Sequence, residues 1–160
     1  MVIIKTSIED QKKLIVSLRI FVGLIWLGTV IRRLLTPDLG NFEERITQMA
    51  QGPALYPNQI MEIAITNWFL IFLVIISLEI ISSISLLSGT LARGGALIAS
   101  LNGFLIGLAG LGLGIIDLII PWAMAAISLF LFFCTHPGLY FGVDDKLSKK
   151  NLPLWIKMLI

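Results

Sequence analysis

The chain has 160 residues, 57% of them hydrophobic and 14% charged, with a mean hydropathy of +0.94 and a formal net charge of +2. Soluble domains average roughly 45–50% apolar and about 25% charged residues, and a water-soluble fold of this size buries only about 70% of its chain surface, so the apolar excess has to face lipid. That excludes a disordered chain, a disulfide scaffold and a conventional soluble enzyme. The small net charge, spread between apolar blocks, argues against a nucleic-acid partner, and Cys134, the single cysteine, has no internal partner.

A helix crosses a bilayer with about 20 apolar residues. Four stretches meet that need: about 14–31, 65–87, 95–115 and 118–134. The first is expected to be a retained span rather than a signal peptide, because acidic Glu9 and Asp10 precede it and no A-x-A site follows. Between the third and fourth, Gly110, Gly112 and Gly114 lead into Asp117 and Pro121, and Pro121 suits the first turn of a helix. The fold class expected is all-α, an integral membrane four-helix bundle forming one domain. Four spans put both termini on one side, with Lys5, Lys12, Lys13, Arg93, Lys146, Lys149, Lys150 and Lys157. Arg32, Arg33 and Arg45 lie on the other, so the positive-inside rule places the termini in the cytoplasm of a multi-pass plasma-membrane protein. Trp26, Trp68 and Trp122 fall near the opposite ends of their spans and read as an outer aromatic belt.

The outer loop, 32–64, is the long one. Asn41 and Glu44 resemble a capping box, predicting a short helix over about 42–51 that Gly52-Pro53 ends. Such a loop is either functional or a lid on the outer leaflet. The cytoplasmic tail, 135–160, alternates apolar residues with Pro153, Trp155 and Lys157 near its end, as a segment resting on the inner leaflet would.

Charges inside spans cost at least about 2.5–3.5 kcal/mol on insertion scales and usually face the bundle interior with a partner. Arg19 in the first span and Glu79 in the second are expected to pair with each other. The pair reads as structural glue or as the polar wall of a cavity that takes a head group or protons, with Glu79 and Arg19 the catalytic candidates. Arg32 and Arg33 snorkel to head groups, or form with Trp26 a cationic mouth for a small anion or a quinone carbonyl. Asp117 reads as an N-cap or a proton-exchanging acid. Asn67 and Asn102 are single polar groups suited to interhelical hydrogen bonds, and Ala99, Gly103 and Gly107 make a small-xxx-small stripe. His136, the single histidine, sits at a helix end, where it suits the dipole. With one histidine and one cysteine, neither a haem nor a metal site is expected.

Three stretches resemble the DoxX/DoxD family of small four-helix membrane proteins. The first span reads Leu18-Arg19, Gly23, Ile25-Trp26-Leu27-Gly28 and Arg32-Arg33-Leu34. The second reads Leu78-Glu79-Ile80-Ile81, then Leu86 through Arg93 with Gly89. The segment after the fourth reads Pro137-Gly138-Leu139-Tyr140 and Val143-Asp144-Asp145. The order of these motifs covers almost the whole chain, and the long outer loop is more like the DoxD branch. Departures are Arg at the span exit where Lys is frequent, Ser83 where glycine is expected, and His136. The resemblance implies a subunit of an archaeal thiosulfate:quinone oxidoreductase, which couples two thiosulfates into tetrathionate and passes the electrons to membrane quinone. It implies a DoxA-like partner subunit and an associated terminal quinol oxidase. A non-catalytic subunit that stabilises a respiratory complex is the alternative, and a small anion or lipid carrier is a third.

Overall fold

The computed structural model describes residues 8–35, 42–44, 46–48, 58–109, 115–134, 136, 138–150 and 152–159. Most of those residues are helical, the rest lie in turns or connecting segments, and none is in a strand. The helices are α1 Ile8–Leu35, α2 Asn58–Thr66, α3 Trp68–Ser88, α4 Ala92–Ala109, α5 Ile115–Cys134, α6 Val143–Ser148 and α7 Leu154–Leu159. Residues 42–44 and 46–48 are helical as well. Arg45, Gly52-Pro53, the glycines 110–114 and Pro137 lie outside the described residues, as do the side chains of Asp117 and Cys134.

Among the described residues, two helices are long and apolar enough to cross a membrane: Glu9–Leu35 and Trp68–Ser88. Shorter apolar stretches, Ala92–Leu108 and Ile119–Phe133, lie within α4 and α5. At about 1.5 Å per residue, the 28 residues of α1 extend about 42 Å, well beyond the apolar run at 14–31.

The pattern of burial along α1 and α3 has a heptad spacing. Arg19, Gly23, Trp26, Val30 and Arg33 face inward on α1, while Phe21, Leu24, Ile31 and Leu35 face outward. On α3 the inward set is Phe72, Ile76, Glu79, Ser83 and Leu86, and Phe69, Leu73, Val74, Ile81 and Ile84 face outward. Alternating steps of four and three residues keep one seam of a helix against its neighbour. The Ser83 hydroxyl donates to the Gly23 carbonyl at 3.1 Å and sets the register. A Cβ at Gly23 would lie 2.9 Å from Leu87, so the missing side chain is what lets the two helices approach here.

Val22 and Trp26 of α1, Leu86 of α3, Ala96 and Ala99 of α4, and Met124 and Leu131 of α5 form one buried core. The four long helices thus share a single interior. The small residues of α4 make the tightest seam. A Cβ on Gly103 would meet the Pro121 carbonyl at 3.0 Å, and one on Gly107 would meet the Trp122 ring at 2.9 Å. A second cluster joins Val30 to Phe72 and Ile76, with Phe42 packed edge-on against Phe72 at 5.3 Å. That contact ties part of the long loop to the bundle.

Three details differ from the sequence reading. Pro121 lies well inside α5 rather than in its first turn, because the helix starts at Ile115, and Asp117 therefore stands within the helix instead of capping it from outside. Asn67 is the break between α2 and α3, and its Nδ2 donates to Ile63 O at 2.9 Å on its own chain segment. A short amide that can satisfy a preceding turn competes with an interhelical bond. Trp26 is 3% exposed in the core, so it is no part of a surface belt, whereas Trp68 and Trp122 are half-buried.

Candidate functional site

Two buried charged centres occupy opposite ends of the α1–α3 seam. The first is built on Glu79, the twelfth of the 21 residues of α3, whose side chain is fully buried. Its partner is Arg33, not Arg19. Arg33 Nε donates to both carboxylate oxygens, at 3.2 and 3.3 Å, and the Arg33 side chain is 16% exposed. The Thr29 hydroxyl, which donates to the Trp26 carbonyl at 2.7 Å, lies near the same carboxylate, and Arg32 adds its positive field. Arg33 lies one helical turn beyond Thr29, so both face α3. Arg32, rotated by about 100° from Arg33, is exposed on the outer surface of α1.

The second centre holds Arg19, which is 2% exposed. Arg19 Nη1 donates to Tyr140 O at 3.3 Å, and its charge acts on Asp144. Asp144 is fully buried on the short helix α6. Its Oδ1 accepts from the Leu91 N–H at 2.6 Å and its Oδ2 from the Ala92 N–H at 2.9 Å. The Asp144 N–H in turn donates to Gly89 O at 2.9 Å. One carboxylate therefore caps the N-terminus of α4 from more than 50 residues away. Burial pushes the Asp144 carboxyl above its ordinary range, against the pull of those two N–H groups and of Arg19.

The turn between α3 and α4 is shaped for this contact. Gly89 has φ +69°, and a Cβ there would lie 2.6 Å from Arg19 Nη1 and 2.7 Å from Gly142 Cα. Leu91, with φ 49°, adopts the left-handed region although it is not glycine. That conformation costs roughly 1–2 kcal/mol, and the charge-assisted bond from its N–H to Asp144 offsets the cost. Nearby, Arg93 Nε donates to the Phe132 carbonyl at 3.0 Å, satisfying the last turn of α5, and the Lys12 ammonium lies over the Tyr140 ring.

The expected Arg19–Glu79 pair is thus replaced by two separate ones. Arg19 lies level with Gly89, ten residues along α3 from Glu79, a separation of about 15 Å. The apolar run at 14–31 placed Arg19 only a few residues from the inner edge of the span, and judging depth from run ends brought two residues together that the register keeps apart. Arg33, read as snorkelling or as part of a mouth, turns inward. Arg32 retains the exposed position a mouth requires. Asp144 entered the sequence reading only through a motif likeness, because a carboxylate in a polar tail carries no sign of burial. His136 is exposed.

Comparison with family models, with curated proteins and with solved structures finds no match to this chain.

Proposed function

We propose that the chain is a four-span plasma-membrane protein with both termini in the cytoplasm, and that it acts as a DoxD-like subunit of a quinone-linked thiosulfate oxidoreductase. Supporting the membrane reading are the outward apolar faces of the long helices and the excess of basic residues at the end that carries the termini. Supporting the assignment is the ordered likeness of the three motif stretches to the DoxX/DoxD family. The observation that carries a functional role is the Glu79–Arg33 pair. Ionisable groups buried in a span mark proton or substrate pathways by default, and this pair adjoins exposed Arg32 at the same end of α1.

In the proposed reaction two thiosulfate dianions join through a new S–S bond and release two electrons. Quinone takes those electrons with two protons and becomes quinol. Arg32 gathers the dianion at the outer surface, with Trp26 buried deeper on the same helix. Glu79 exchanges a proton with the quinone oxygen while Arg33 holds its carboxylate. Asp117, two residues into α5 from Ile115, is a candidate for relaying protons. The DoxA-like subunit and a terminal quinol oxidase are the proposed partners.

The test is thiosulfate-dependent quinol formation in membranes carrying the wild-type chain or Glu79→Gln. The expected result is a loss of at least tenfold in turnover with the chain still inserted and assembled, together with a raised thiosulfate KM for Arg32→Gln. Unchanged turnover in Glu79→Gln would overturn the catalytic role. A second reading, a non-catalytic assembly subunit, is favoured by the Arg19–Asp144 centre, whose hydrogen bonds join α1 to the turn at Tyr140 and α6 to the start of α4. It predicts that Arg19→Met releases the partner subunits while Glu79→Gln leaves turnover intact.

A further inference from the structure

Among the described residues, Trp26 Nε1, Ser82 Oγ, Asn102 Nδ2 and Ser128 Oγ are buried without a hydrogen-bond partner. Their residues are all at least 97% buried and come from all four long helices. The indole and the amide are donors, and each hydroxyl can donate as well.

Their heights in the bundle fall within about two helical turns of one another. The Ser83–Gly23 hydrogen bond fixes α1 against α3, which brings Trp26 within a turn of both Ser82 and Glu79. Gly95 of α4 lies against Ser85 and the Ser82 carbonyl. Asn102, two turns farther along that face, reaches the height of Ile75 to Leu78 and so comes within a turn of Glu79. Gly103 lies against Pro121 and Ala125 of α5, which places Ser128 level with Ala99. Trp26 and Ala99 share one core cluster, so the indole reaches the middle of the bundle. Leaving a buried donor unpaired costs about 1–3 kcal/mol, and four within about two turns is far from the usual pairing of interior polar groups.

We propose that the four helices enclose a polar site for oxygen hydrogen-bond acceptors, lined by Trp26, Ser82, Asn102 and Ser128 beside the Glu79–Arg33 pair. Two sources supply that chemistry: internal water, and the carbonyl oxygen of an apolar molecule entering from the bilayer. An acceptor oxygen has two lone pairs and takes two of these donors, so the four call for more than one such oxygen, and both sources deliver them. The site stands on packing alone and does not depend on the thiosulfate reaction. A carbonyl occupant would name the ligand class for the pathway proposed above.

The test uses the full chain in lipid nanodiscs, labelled with 15N at its four tryptophans. The Trp26 indole signal is assigned with Trp26→Phe and followed in Ser82→Val, Asn102→Leu and Ser128→Val. The expected result is a downfield, hydrogen-bonded indole proton whose shift moves in at least two of the three variants. A cross-peak to the water resonance then identifies water as the source. Without that cross-peak, a carbonyl compound other than phospholipid, found by mass spectrometry in organic extracts of the purified chain, identifies the second source, and finding neither overturns the proposal. An unbonded, upfield indole proton overturns the proposal. So does a bonded one that ignores all three substitutions, since the indole would then be paired with the backbone. The thiosulfate assay reads a different quantity, so either idea can fail while the other stands.

Discussion

Glu79 and Asp144 are both fully buried carboxylates, yet their environments differ in kind. Glu79 meets one guanidinium through both oxygens, whereas Asp144 meets two backbone N–H groups and the field of a guanidinium. Removing one member of a buried pair strands the other, a loss of about 3–5 kcal/mol in proteins where it has been measured. Glu79→Gln and Arg33→Met are therefore each expected to lower the melting temperature in detergent, with the double variant better than the sum. Arg19→Met and Asp144→Asn should couple in the same way. Glu79→Gln combined with Arg19→Met should be additive within about 0.5 kcal/mol, because about 15 Å separates the two centres. Strong coupling between Glu79 and Arg19 in a thermal double-mutant cycle would contradict the observed pairing.

At the scale of elements, the glycines sort by what their missing side chains would meet. Gly103 faces the backbone of α5 at Pro121 and Ala125, so the two helices can admit little more there. Gly28 is exposed on α1 with nothing within 4 Å. Gly103→Leu is expected to force α4 from α5 and destabilise the protein by several kcal/mol, in the range of overpacking or more. Gly28→Ala should be neutral or stabilising by up to about 1 kcal/mol, from helix propensity alone. Thermal unfolding of both variants in one detergent checks the pair, and equal effects would count against the packing account. The α4 stripe was legible in the sequence as small residues four apart. Its partner helix was not, because a glycine stripe states how close a neighbour comes without stating which neighbour.

For the whole molecule, the proposed topology makes a direct prediction. In a background with Cys134→Ser, Gln11→Cys and Lys149→Cys should label with an impermeant maleimide from the same side of a sealed vesicle. Gln48→Cys should label only from the other. Labelling of Gln11→Cys and Lys149→Cys from opposite sides would exclude an even number of spans.

Composition by itself marked the chain as unusually apolar, and hydropathy located the four long helices to within about six residues at each end, two of them long and apolar enough to cross a membrane. It also isolated Arg19 and Glu79 as charges inside apolar runs, where an unpaired charge is costly. Their partners were decided by the tertiary structure. Arg19, Trp26 and Arg33 are spaced by sevens, a signal present in the chain, but a charge at a helix end can point to head groups or inward with equal local ease. Arg32 and Arg33 differ only by a rotation about the helix axis, and packing against α3 selects which one enters. Asp144 was hidden for a related reason. Its burial depends on a chain reversal that brings α6 onto the start of α4, and no local pattern encodes where a tail will land.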